Sequence, residues 1–176
     1  MDIAAVNLMS YEHFLDIFGN IIEKCPLITG AVWSKRPYSS IAELESCVCE
    51  FIDFLPSSGK EGILRCHPDL AGRELASGTL TEESQQEQSH AGLISLTSTE
   101  QDRMTLLNSQ YKNKFGFPFV ICAKMAYKTK IMSELSSRIL NDPSQELQNG
   151  IEEVKKICHL RVQDIFFKNS KLPTKL

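Results

Sequence analysis

SIAELESCVCEFIDFL, residues Ser40 to Leu55, reads as a helix, and that reading decides the fold class. Ile41, Leu44, Val48, Phe51, Ile52 and Leu55 recur every three or four positions. At 3.6 residues per turn they form one apolar stripe. A half-buried strand would need apolar residues at every second position, which this stretch lacks. Ser40, with Glu43 three residues on, has the pattern of a capping box. Pro56-Ser57-Ser58-Gly59 reads as the turn that follows.

The same period extends to both sides. Upstream, Ser10 opens a helix carrying Phe14, Leu15, Phe18, Ile21 and Ile22, which Cys25-Pro26 ends. A short helical turn covers Ile28 to Trp33. Downstream, a short helix with Ile63 and Leu64 must stop before His67-Pro68, because a residue preceding proline is pushed out of helical conformation. Residues 67–80 hold several breakers and read as a loop. Thr81 caps an almost wholly polar helix to His90, with Glu82 and Glu83 at the positive end of its dipole. Thr99 caps a long helix through Met104, Leu107, Tyr111 and Phe115, with Gly116 in the left-handed terminal position. Phe117-Pro118-Phe119-Val120-Ile121-Cys122-Ala123 could pass for a buried strand, but no second strand is present to pair with it. It is read as buried extended chain or the start of the next helix. Helical signals resume from Tyr127 to Leu140, then from Pro143 to Phe167 with Asp142 as a cap. The expected protein is all-α: a single irregular bundle of about seven or eight helices over residues 1–168. Residues 169–176 are expected as a flexible C-terminal tail.

Composition narrows the function classes. A net charge of -3 and a pI near 5.8 argue against a nucleic-acid binder and against an anionic membrane surface as partner. No apolar stretch approaches the roughly 18 residues of a membrane span. Met1-Asp2 does not open the basic-then-apolar layout of a signal peptide. Cys25, Cys47, Cys49, Cys66, Cys122 and Cys158 form no Cys-x-x-Cys pair, and Cys47-x-Cys49 is too close for ordinary zinc spacing. They read as buried thiols of a reducing compartment. There is no His-Glu-x-x-His, no glycine-rich phosphate loop and no Gly-x-Ser-x-Gly elbow. A metallohydrolase, a nucleotide enzyme and a serine hydrolase are thereby disfavoured.

Three residues could carry chemistry. His67 sits at a helix-to-loop junction, held by the proline after it. It could exchange a proton near neutral pH, or simply cap helix carbonyls. Glu87 could orient a histidine and raise its pKa, or belong to a solvated helix face. His90, about one turn later, competes for His67's role. Arg161, within His159-Leu160-Arg161-Val162, could clamp a carboxylate or ureido carbonyl, or form a surface salt bridge. His13 and His159 read as ordinary helix residues.

Taken in order, three motifs resemble the OHCU decarboxylases, enzymes of 2-oxo-4-hydroxy-4-carboxy-5-ureidoimidazoline. They are His67-Pro68-Asp69-Leu70-Ala71-Gly72, then Ser84-x-x-Glu87-Gln88 with Ala91-Gly92-Leu93, then Phe115-Gly116-Phe117-Pro118-Phe119. The resemblance runs from Phe14 to Arg161. It implies an all-α homodimer that uses no cofactor and converts this substrate to (S)-allantoin at the end of urate breakdown. It implies His67 as the catalytic histidine and Glu87 as its catalytic partner. It places Pro68, Ser84, Gln88 and Arg161 against the substrate. It also assigns the backbone of Phe119, Val120, Ile121, Cys122 and Ala123 to the substrate's ureido and ring amides. Animal members resemble peroxisomal proteins. The terminal Thr174-Lys175-Leu176 is one residue away from the Ser-Lys-Leu address and implies a peroxisomal import receptor as partner. Ser170-Lys171-Leu172 is a full match but internal. Two readings of another class stand beside this one: a non-catalytic module that binds ureides, and a helical interaction protein with a polar groove.

Overall fold

The computed structural model describes residues 1–170. Thr174-Lys175-Leu176 and most of the expected tail lie outside them. Ten α-helices, two 3-10 turns and no strand occur among the described residues, so the all-α reading holds. The helices are α1 (Ile3–Asn7), α2 (Tyr11–Phe18), α3 (Pro26–Trp33), α4 (Ile41–Asp53), α5 (Ser57–Arg65), α6 (Arg73–Ser77), α7 (Glu82–His90), α8 (Ser98–Phe115), α9 (Lys128–Arg138) and α10 (Pro143–Ser170). The 3-10 turns are Leu93–Ser95 and Ala123–Met125. The excess over the expected count lies in α1 and α6, helices of only five residues. Pieces that short carry too little periodic pattern to be read from a sequence.

Several helix ends fall where the capping residues put them. Ser10 accepts from the His13 N–H, Thr81 from the Ser84 N–H and Asp142 from the Gln145 N–H. Ser40 accepts from the Glu43 N–H, but Glu43 does not close the box on Ser40; its carboxylate takes the N–H and hydroxyl of Ser39. Those two bonds hold the Glu43 carboxyl below the usual carboxylate range.

Other ends need correction. α2 stops at Phe18, not Ile22, because Gly19 favours leaving the helix. Ile21 and Ile22 are buried all the same, from the turn that follows. Pro56 opens α5 rather than a turn: its carbonyl accepts from the Gly59 and Lys60 N–H groups. A proline at a helix start loses only an N–H that would have had no intrahelical partner. Residues 67–80 include α6, closed by Gly78 at φ +70°. Thr97, not Thr99, caps α8 through the Glu100 N–H at 3.2 Å. Phe117 to Cys122 is non-helical and buried, as expected for extended chain.

The chain groups into two compact units. One comprises Met1–Ile63 and the described residues from Lys155 on. In it α3 packs on both α2 and α4. Its core includes Phe14, Phe18, Leu44, Val48, Ile52 and Val162, all essentially inaccessible. Leu44, Val48 and Ile52 of the stripe are therefore the buried face of α4, while Ile41 and Phe51 are half-buried and Leu55 lies past the helix end. The other unit is Leu64–Val154. There α8 packs on α9, and Tyr111, Phe115, Phe117 and Phe119 form an aromatic cluster. Leu64 lies against Gly150, where a Cβ would meet its methyl carbon at 2.9 Å.

Candidate functional site

His67 follows the last turn of α5, its N–H bonded to the Leu64 carbonyl at 3.1 Å. The side chain is half-buried and its Nε2 is shielded from solvent. The chain after it is irregular, and Ala71 takes φ +51°. A left-handed non-glycine residue costs about 1–2 kcal/mol, so something must hold it. Three side-chain amides do. Gln88 accepts from the Ala71 N–H at 2.9 Å and donates to the Asp69 carbonyl at 3.4 Å. Asn108 donates to the Leu70 carbonyl and Gln101 to the Ala71 carbonyl, both at 2.9 Å. The backbone groups of an inward loop must find partners, and here they find them in α7 and α8.

α7 is polar because its inner face is polar. Ser84 and Gln88, four residues apart, are 5% and 2% exposed. Glu87 is half-buried beside them, while Glu82, Gln86 and His90 face solvent. The solvated-face reading thus fits only the outer side of this helix. His90 lies at the exposed end, away from the buried face that carries Ser84 and Gln88. α7 packs against both 3-10 turns, and the Lys128 N–H bonds to the Ala91 carbonyl at 2.9 Å. Ala123 opens the second of those turns. The second unit therefore gathers the loop from His67, the inner face of α7 and the end of Phe119–Ala123.

All five residues of that segment are buried. Two of its backbone groups have side-chain partners: the Val120 carbonyl accepts from Arg138 Nη1 at 2.9 Å, and the Cys122 N–H donates to Glu153 at 3.0 Å. Sequence reading missed both anchors. Arg138 could have been noticed, since it follows Ile131 and Leu135 at helical spacing and so occupies a core position. Arg138 pairs with the fully buried Glu146 at 2.6 Å. Burial alone would raise the Glu146 carboxyl. Hydrogen bonds from Asn141 and Tyr111, the charge of Arg138 and a bond from Asn149 outweigh it and hold the group below its ordinary range.

Arg161 belongs to the other unit. It is 4% exposed, and its Nη1 donates to the Asn20 carbonyl and to Glu23, both at 2.8 Å. The surface-salt-bridge alternative is corrected: Glu23 is wholly buried too. His159 is exposed and pairs with Glu45. Of the cysteines only Cys122 and Cys158 are buried, and the other four are partly accessible. Among the described residues, no cluster of His, Cys, Asp or Glu could hold a metal ion. No described helix is long and apolar enough to cross a membrane. The Asp69–Gly72 loop also lines a polar cleft of about 620 Å³ with Gln101, Asn108 and Lys112. Neither His67, the α7 face nor Phe119–Ala123 borders it, so this cleft is separate from the expected site.

Comparison with known proteins agrees with the motifs. The family model for OHCU decarboxylase matches residues 7–163. The 2-oxo-4-hydroxy-4-carboxy-5-ureidoimidazoline decarboxylase of Xenopus laevis is 64% identical over 176 residues, all of both chains. That of Mus musculus is 54% identical over 94% of this chain and 93% of its own. Two solved structures share the fold at low identity. (S)-allantoin synthase matches with a TM-score of 0.75 at 21% identity, over 94% of this chain and 54% of that one. OHCU decarboxylase in the presence of (S)-allantoin matches at 0.70 and 20%, over 90% and 99%. With the motifs gathered in one unit and the family model spanning nearly all of the chain, the protein belongs to the OHCU decarboxylase family.

Proposed function

We propose that this protein decarboxylates 2-oxo-4-hydroxy-4-carboxy-5-ureidoimidazoline to (S)-allantoin. The observation that carries the reading is Gln88, which ties the inner face of α7 to the loop that His67 begins. The vertebrate relatives bearing the decarboxylase name support it. So does the related structure obtained with (S)-allantoin, at the level of fold.

The substrate carries its carboxylate on a carbon that also bears a hydroxyl and adjoins a conjugated C=N. When carbon dioxide leaves, that conjugation accepts the electron pair, so the reading needs no cofactor. The protein must then supply orientation and a proton delivered to one face. His67 polarises the hydroxyl or carboxylate, and Glu87 tunes His67. Pro68, Ser84 and Gln88 border the substrate, and the Phe119–Ala123 backbone meets its amides. Arg161 is assigned to the substrate on the resemblance alone.

A circular-dichroism time course tests the proposal. Urate is converted in the cuvette by urate oxidase and hydroxyisourate hydrolase, with and without this protein. Faster loss of the optically active intermediate, ending in (S)-allantoin, is the expected result. Unchanged spontaneous decay would sink the proposal and favour a ureide-binding module.

Two further proposals come from the family and the tail. One is a homodimer, to be checked by light scattering, where a monomer mass at micromolar concentration counts against it. The other is peroxisomal import through Thr174-Lys175-Leu176. An N-terminal fluorescent fusion should enter peroxisomes, and removal of the three residues should abolish entry.

A further inference from the structure

Two anchors one residue apart grip the chain on either side of Ile121. The Val120 carbonyl is held by Arg138 at 2.9 Å, and the Cys122 N–H by Glu153 at 3.0 Å. Both peptide units flanking Ile121 are trans, the only cis bond among the described residues being Arg36–Pro37. In a planar trans peptide the carbonyl and the following N–H point in opposite directions. Holding the Val120 carbonyl toward Arg138 therefore turns the Ile121 N–H away from it. Holding the Cys122 N–H toward Glu153 turns the Ile121 carbonyl away in the same manner. Ile121 is 7% exposed, and no described residue forms a hydrogen bond to either of its backbone groups. Buried backbone groups are rarely left so.

The grip is itself braced. Arg138 donates through Nε to Glu146 at 2.6 Å and lies 4.5 Å from the centre of the Phe119 ring. Glu146 also accepts from Tyr111 at 2.7 Å and from Asn141 and Asn149 at 3.0 Å. A buried ion pair seldom stabilises a fold more than apolar packing of the same volume. What apolar side chains cannot do is orient a carbonyl.

We propose that Arg138, braced by Glu146, and Glu153 are positioning residues that set Ile121 N–H and C=O as an adjacent donor and acceptor for one amide unit of the substrate. This rests on the decarboxylase reading above. The residues act through the backbone and touch no reacting atom, so they govern substrate capture rather than the proton transfer of His67.

The experiment compares the parent, Glu153→Ala, Glu153→Gln and the double variant Arg138→Met/Glu146→Gln in the circular-dichroism assay, with (S)-allantoin binding measured by calorimetry. The double variant leaves no unpaired buried charge. Glu153→Ala and the double variant should each raise KM and the Kd for (S)-allantoin about tenfold, the worth of one well-placed hydrogen bond. Their kcat should stay within about threefold of the parent, a change too small for a lost proton donor. Glu153→Gln keeps an acceptor oxygen and should stay near the parent. A folded Glu153→Ala with parental KM and Kd overturns the proposal, and it decides alone if the double variant fails to fold. A parent that does not speed the decay overturns the decarboxylase reading, and this inference falls with it.

Discussion

His67 stands where a helix ends and a pinned loop begins, so replacing its ring should disturb chemistry more than structure. His67→Asn is expected to lower the decarboxylation rate by at least about 100-fold, the scale of a lost general acid or base. The far-ultraviolet dichroism should be unchanged, and a rate within a few-fold of the parent would refute the role. Glu87→Gln should lose less if Glu87 only tunes His67, and an equal loss would show direct participation. Gln88 differs from both because its amide is bound to the loop. Gln88→Ala leaves the Ala71 N–H and the Asp69 carbonyl without their partner. That should cost about 1–3 kcal/mol by denaturant titration and should also slow turnover, because the residues after His67 lose their hold. A stable but inactive Gln88→Ala would mean that the residue's part at the substrate outweighs its hold on the loop.

At the scale of elements, the junction after α7 is closely packed. Gly92 takes φ +80°, and a Cβ there would sit 2.7 Å from the Tyr127 ring. Gly92→Ala is expected to destabilise by about 1–2 kcal/mol from the left-handed backbone alone, with the ring clash added. The thermal midpoint should fall accordingly, and Tyr127→Ala in the same chain should recover only the clash. An unchanged midpoint would show that the turn can flip to another conformation. The consequence reaches the site, because α7 leans on both the turn that Gly92 starts and the turn that Ala123 starts.

Stability of the whole molecule should depend on acid through Glu146. Its carboxyl is held below the ordinary range although burial opposes this. A group depressed in the folded state stabilises above its unfolded pKa, about 4.3 for glutamate. That contribution is lost as pH falls through the lower, folded value. Glu146→Gln should therefore be less stable than the parent at neutral pH and should show a flatter decline below about pH 4. Identical acid-denaturation curves would contradict this. Arg138→Met alone, which strands a buried carboxylate, should cost about 3–5 kcal/mol. The Cys158 thiol is pushed up to about 12 by burial, then by Cys49 and Glu45. It should resist alkylation at neutral pH until the protein is denatured, and rapid labelling of native Cys158 would show that its region opens.

The sequence by itself determined the helices longer than about two turns, because burial on one side of a 3.6-residue period leaves a pattern in the chain. It narrowed the run before Ala123 to buried extended chain or the start of a helix, because an apolar stretch without a partner strand has few other choices, and the structure settled it as extended chain. Local chemistry was legible at several helix starts where a hydroxyl or carboxylate precedes the helix, as at Ser10, Ser40, Thr81 and Asp142, though not at Asp2 or Thr97. His67, Glu87 and Arg161 stood out as candidates by residue type and position, but their roles came only from the family resemblance, which composition and period could not have supplied. Only the tertiary structure decided what Gln88, Arg138, Glu146 and Glu153 do. The bonds of Gln88 to Ala71, of Arg138 to Val120 and Glu146, and of Glu153 to Cys122 span 8 to 31 residues of chain, and the same side chains on an open helix would read as solvated polarity. A hydrogen bond between distant residues has no sequence period, so its direction exists only once the backbone has brought the groups together.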